Sequence, residues 1–141
     1  MNTDGSAIIP TMRYRDASAA ITWLERVLGF EAHLVVPGVA DGEIAHAQLT
    51  LGSGMIMLGS ARDDEYGALV KPPADRASVL TQSAYVVVAD IDAHYAHAKA
   101  AGVEIVMDLA EQVHGGKLYS CRDPEGQLWN IGSYNPWSET S

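Results

Sequence analysis

The feature that most constrains this chain is that its sequence runs through one pattern twice, and a fixed internal repeat dictates architecture before any single residue does. In the first half, Ile8-Ile9-Pro10-Thr11-Met12-Arg13-Tyr14 predicts a strand and Asp16 a helix N-cap. Ala19, Ala20, Trp23, Leu24, Val27 and Leu28 follow at helical spacing, and Gly29 supplies a stop. Three strand-like runs come next, over 30–36, 43–51 and 55–58, separated by Pro37-Gly38 and Gly52-Ser53-Gly54. The second half repeats the order. A β-rich run over 83–89 leads to Asp90 or Asp92 as cap, then to a helix carrying Ile91, Tyr95, Ala98 and Ala101 that Gly102 closes. Strands are expected over 103–109, 118–122 and 128–133, with Gly115-Gly116 and Asp123-Pro124-Glu125-Gly126 as turns. The expected fold class is therefore α+β, built of two strand–helix–strand–strand–strand modules.

With 141 residues the chain suits a single domain of two repeated modules, about 7–60 and 83–134, joined by a linker over 61–82 that contains Pro72-Pro73. One module alone cannot bury its helix and sheet face. Packing of modules within or between chains follows, and exchange of halves makes a homodimer the expected assembly. A hydrophobic fraction of 48% and a charged fraction of 19% are those of a globular protein. The net charge of −9 repels phosphate backbones, so nucleic acid is not an expected partner, whereas a cationic ligand would be drawn in. No apolar run is long enough to span a membrane, and Met1-Asn2-Thr3-Asp4-Gly5-Ser6 lacks the basic and apolar stretches of a secretory signal. A cytoplasmic location is expected. The single cysteine, Cys121, rules out an internal disulfide and reads as a buried thiol.

Two stretches carry a family resemblance: Tyr14-Arg15-Asp16-Ala17-Ser18-Ala19-Ala20 with Leu28-Gly29-Phe30, and Arg122-Asp123-Pro124-Glu125-Gly126-Gln127-Leu128-Trp129. An Asp-capped helix ending in Leu-Gly-Phe, with a late Asp-Pro-Glu-Gly turn, resembles the vicinal-oxygen-chelate superfamily of glyoxalase I, extradiol dioxygenases and bleomycin resistance proteins. His46-Ala47-Gln48-Leu49 and Met57-Leu58-Gly59 are similar to its glyoxalase-like subgroup. The resemblance covers about residues 7–134. It implies curled mixed sheets around a cavity, with helices on the convex face. In metal-dependent members His or Glu at up to four strand positions hold one divalent ion that polarises paired substrate oxygens.

Here those four positions read Ile9, Leu58, Ala84 (or Ser83 if the strand slips by one) and Asn130, the last where metal-binding relatives have Glu. Aliphatic side chains cannot ligate, and a neutral amide substitutes poorly for a carboxylate. No metal and no other cofactor is expected. Of the five histidines, His94 and His97 fall at i,i+3 on a helix face expected to be solvated, and His33 on an alternating surface strand. His114 sits in a glycine loop, as a turn residue or a gate.

His46 is the histidine of interest, because with Leu49 and Leu51 toward the helix the two-residue period turns His46, Gln48 and Thr50 toward the cavity. The same parity argument sends Arg13, Ile56, Leu58, Leu118, Ser120 and Asn130 inward, and Trp129 and Ile131 toward the helix layer. The expected ligand-binding set is Arg13, His46, Gln48, Ile56, Leu58, Ser120 and Asn130. Two functions fit it. One is a metal-free protein similar to the bleomycin resistance branch, sequestering a cationic or aromatic small molecule. The other is a glyoxalase-like lyase, isomerase or dioxygenase-type enzyme, with His46 as the candidate base and Arg13 or Asn130 stabilising an oxyanion, through an unrecognised metal site or none.

Overall fold

A computed structural model describes residues 1–138, and these fall into two compact units: residues 1–25 with 29–72, and 26–28 with 73–138. The first unit contains β1 (Thr11–Tyr14), α1 (Ala17–Trp23), β2 (Glu31–Pro37), β3 (Ile44–Leu51) and β4 (Gly54–Ser60). Its sheet has the order β1-β4-β3-β2, with β1 parallel to β4 and the other pairs antiparallel. The second unit contains β5 (Ala84–Val87), α2 (Ile91–Ala100), β6 (Glu104–Glu111), β7 (Lys117–Arg122) and β8 (Leu128–Gly132). It repeats the topology as β5-β8-β7-β6, with β5 parallel to β8. Both expected modules are present in their expected order. Among the described residues no helix is long and apolar enough to cross a membrane.

The helix ends follow their local chemistry. Asp16 accepts from the Ala19 N–H at 3.1 Å, and Asp90, rather than Asp92, accepts from the Ala93 N–H at the same distance. At the end of α2 the Val103 N–H reaches Ala98 O and the Gly102 N–H reaches Lys99 O, with Gly102 at φ 79°. That is a Schellman stop, and it needs the left-handed conformation glycine adopts without strain. The first helix ends differently. Leu24–Leu28 form a π-helical turn in which Leu24 O accepts from both Gly29 and Phe30 N–H groups.

Strand register sorts side chains onto two faces. In the first sheet Leu49 opposes Ile56 and Ala47 opposes Leu58; all four are buried, as is Tyr14. Buried Ala17, Ala20 and Ile21 of α1 belong to the same core, since α1 lies against β1 and β4. In the second sheet Tyr119 opposes Ile131 and Cys121 opposes Trp129, all at most 1% exposed. Each such side chain contributes on the order of 1.5–3 kcal/mol of hydrophobic burial.

Two expectations are corrected by the register and the helix contacts. Ile56 and Leu58 lie on the helix-covered face, not beside His46 and Gln48. The reason is turn length: Gly54 is already paired with Leu51 across a two-residue turn, whereas Gly126 lies inside the longer loop that ends where Arg122 pairs with Leu128. Counting four residues from each glycine therefore reaches opposite faces. Of the α2 histidines, His97 is exposed as expected, but His94 is half-buried. His94 Nε2–H donates to Leu28 O at 3.0 Å, which leaves Nδ1 to accept from the Tyr119 hydroxyl at 2.8 Å. His97 Nε2–H donates to Arg26 O at 2.8 Å.

Candidate functional site

Each unit presents one sheet face without a helix, and both faces are built alike at their first and last strands. In the first unit Arg13 of β1 pairs with Gly59 of β4. A Cβ at Gly59 would fall on the Arg13 guanidinium, so only the bare backbone lets that side chain lie across the sheet. In the second unit a Cβ at Gly132 would come within 2.6 Å of the Tyr85 hydroxyl oxygen. The same device thus lays a guanidinium on one sheet and a phenol on the other.

The first recess has a volume of about 220 Å³ and is bordered by Thr11, Met12, Arg13, His46, Met57, Leu58 and Tyr66. Arg13 stands 4.9 Å above the Tyr66 ring, a cation–π distance, with Nη1 3.5 Å from Ser60 O. His46 and Gln48 project to the same side as Met57, since Gln48 opposes Met57. The Gln48 side-chain nitrogen is 3.0 Å from His46 Nε2. An amide nitrogen only donates, so Nε2 accepts and the imidazole proton sits on Nδ1.

The second recess, also about 220 Å³, is bordered by Tyr85, Gln112, His114, Gly115, Lys117, Leu118, Asn130 and Tyr134. The Tyr85 hydroxyl donates to Tyr134 O at 2.7 Å, and His114 meets the Tyr134 ring edge-on, with centroids 4.9 Å apart. Asn130 is fully engaged. Its oxygen accepts from Ser120 Oγ at 2.8 Å, and its nitrogen donates to Ser83 Oγ at 2.8 Å and to Ala84 O at 3.0 Å. It ties β5, β8 and β7 together.

The structure therefore brings Arg13, His46 and Gln48 onto one face, with Ser120 and Asn130 on the corresponding face of the other unit. Ile56 stands apart, and Leu58, 3% exposed, only borders the first recess. Tyr66, Met57, Tyr85, His114 and Tyr134 border the recesses as well, although strand parity does not place them in the expected set. Tyr85 is within reach of the same parity argument, through Asn130, its partner across β8. Tyr66 lies in the irregular segment after β4, where no periodicity reports a side chain's direction.

The residues at the superfamily's metal positions do not fit a divalent ion. On the helix-free face, the β4 position falls to Met57, a soft thioether. Ala84 opposes Trp129 and turns to the helix side, leaving Ser83, whose hydroxyl is bound to Asn130. Among the described residues no three His, Cys, Asp or Glu side chains cluster closely enough to hold a metal. Cys121 offers no nucleophile: it is buried, and burial pushes its thiol up to about 12, with the nearby Asp123 carboxylate adding to the shift.

Comparison with known proteins agrees with the duplicated frame. The sequence pattern of the Glyoxalase/Bleomycin resistance protein/Dioxygenase superfamily matches residues 9–131. An uncharacterized protein of Mycobacterium tuberculosis is 27% identical over 126 residues, covering 89% of this chain and 73% of that protein. TioX from Micromonospora sp. ML1 is 29% identical with a TM-score of 0.69, covering 93% of this chain and 100% of that one. A bleomycin resistance determinant encoded on the transposon Tn5 shares the fold at 21% identity and a TM-score of 0.65, over 92% of this chain and 98% of that one.

Proposed function

The chain belongs to the Glyoxalase/Bleomycin resistance protein/Dioxygenase superfamily, and from that membership we propose that it is a metal-free protein that sequesters a ring-bearing small molecule on its helix-free sheet faces. One observation carries this reading: the neutral polar groups there are hydrogen-bonded to one another, while the rings keep part of their surface exposed. His46 is engaged by Gln48, and Asn130 by Ser120, Ser83 and Ala84. Tyr66 and Tyr85 remain 43% and 41% exposed, and His114 is exposed beside Tyr134. Satisfied polar groups and open aromatic surface favour stacking and burial of a guest over proton transfer. Arg13, His46 and Gln48 on one face, and Tyr85 with the Asn130 brace on the other, are the proposed contacts. Work as a cytoplasmic homodimer, as the sequence suggests, belongs to the same proposal.

A thermal-shift screen with aromatic drugs and cationic glycopeptides tests the reading. A true ligand at about 100 times its Kd stabilises by about 2.7 kcal/mol. No stabilisation by any compound, together with turnover of a 2-oxoaldehyde–thiol adduct, would favour the enzymatic alternative. Stoichiometric metal in protein purified without chelator would overturn the metal-free part.

A further inference from the structure

We propose that the outer edge of β2 is a self-association surface: it takes β2 of a second copy of this chain, antiparallel, about a two-fold axis at Leu34 and Val35. The inference rests on the homodimer of the reading above and names the strand that makes it.

Three observations combine. First, β2 ends the order β1-β4-β3-β2, so one edge of its backbone has no strand partner. Every residue of β2 is exposed, and Leu34, Val35 and Val36 are 40–45% exposed. Residues 34–39 carry no charge, and Val39, just beyond the strand, is fully exposed. An open edge with apolar side chains on both faces is a template for another strand. Register shifts between Ala32 and Leu34 and between Val36 and Pro37 bound the regular stretch without interrupting it.

Second, the equivalent edge of the other unit is guarded. β6 also ends its sheet and exposes Val106 and Met107, but it carries Glu104, Asp108 and Glu111. An antiparallel copy of β6 centred between residues 107 and 108 sets Glu104 against Glu111, and one centred on Asp108 sets that carboxylate against itself. Like charges directly opposite are destabilising. Third, β2 carries no such conflict. Its one carboxylate, Glu31, lies far enough from the axis to meet only uncharged residues within 37–39, and His33 meets one within 35–37. Charge therefore permits a second copy on β2 and opposes one on β6.

An axis of this kind runs perpendicular to the sheet and keeps each face on its own side. Leu34 opposes Gln48 and Val36 opposes His46, so the added strand extends the helix-free face beside those proposed contacts. The regular stretch is only Leu34 to Val36, so the interface is small and the dimer weak.

The test is sedimentation equilibrium of the full chain with one lysine placed on either edge. Val35 opposes Ala47, away from the helix-free face, and Val35→Lys is expected to raise the dimer Kd roughly tenfold or more. Val106→Lys should leave it unchanged. Leu34→Lys repeats the test if Val35→Lys loses its far-UV circular dichroism. On mild oxidation Leu34→Cys or Val35→Cys should cross-link to its own copy, because facing residues of an antiparallel pair stand about 4.5–5.5 Å apart at Cα, within disulfide reach. Glu31→Cys should not, and the native Cys121 is buried. A wild-type chain that stays monomeric up to about 1 mM overturns the proposal together with the homodimer. A dimer that Val35→Lys leaves intact, or that Val106→Lys weakens as much, overturns β2 self-pairing and spares the homodimer. Failure of the thermal-shift screen removes ring binding alone, because that screen does not read association.

Discussion

The two units share a frame and differ in what they hang on it. The helix-covered face of the first packs the aliphatic Leu49, Ile56 and Leu58 around one buried tyrosine, Tyr14. That of the second is aromatic and pinned by hydrogen bonds: Tyr119 to His94, and Trp129 Nε1–H to Asp123 at 3.1 Å. On the opposite faces the contrast lies in charge, with Arg13 laid over Gly59 in one and Tyr85 over Gly132 in the other. Duplication thus preserved backbone requirements (caps, glycines, register) while releasing side-chain chemistry, because the former fix the fold and the latter only fill it.

The two units diverge most visibly at their turns. Asp123, 2% exposed, accepts from Glu125 N–H, Gln127 N–H and the Trp129 indole. Asp123→Ala leaves three donors without that acceptor and should cost about 3 kcal/mol or more in urea unfolding. The two-residue β3–β4 turn has no such hub, so Ser53→Ala should change stability by less than about 0.5 kcal/mol. Equal losses would end the distinction.

Alkaline pH should weaken the second unit through its buried thiol. Cys121 is raised from 9.0 to about 12 in the folded chain, so above pH 9 the unfolded state releases its proton first. Stability is intact below pH 9 and falls as pH rises toward 12, by at most about 1.4 kcal/mol per pH unit from this group. Tyr119, also raised by burial, adds loss in the same direction above its ordinary value of 10.0. Cys121→Ala should flatten the slope of unfolding free energy against pH; an unchanged slope would mean that the thiol is not the source.

A smaller effect tests the hydrogen-bonded core of the second unit. A double-mutant cycle of His94→Phe with Tyr119→Phe should give a coupling of about 1 kcal/mol, because each single change strands the other's partner. Zero coupling would mean that this hydrogen bond does not help to hold the second core. Smallest is Tyr85→Phe, which removes one half-exposed bond to Tyr134 O and should cost at most about 1 kcal/mol.

Much of the frame is legible in the chain's local patterns. The module order, the Asp16 cap, the stops at Gly29 and Gly102 and the inward face of β7 and β8 follow from periodicity and cap chemistry, which act within a few residues. The sites are less legible. Counting residues from Gly54 and Gly126 alike sends Ile56 and Leu58 to the wrong face, because the two turns differ in length. A helical wheel places His94 with the exposed His97 on a solvated face, because it does not reveal the backbone carbonyl of Leu28 arriving at His94. Tyr66 falls inside the linker, where no pattern marks it.

The sequence by itself therefore determined the duplicated βαβββ frame, the ends of its helices and Asn130 in place of a metal-binding carboxylate. Those depend on local backbone geometry and on side-chain identity, both written in the chain. Only the tertiary structure decided which side chain faces which way in β4, which polar groups are already satisfied, and that Gly59 and Gly132 carry Arg13 and Tyr85 across their sheets. These depend on register and on contacts between residues tens of positions apart, and a one-residue difference in a turn is enough to reverse a face.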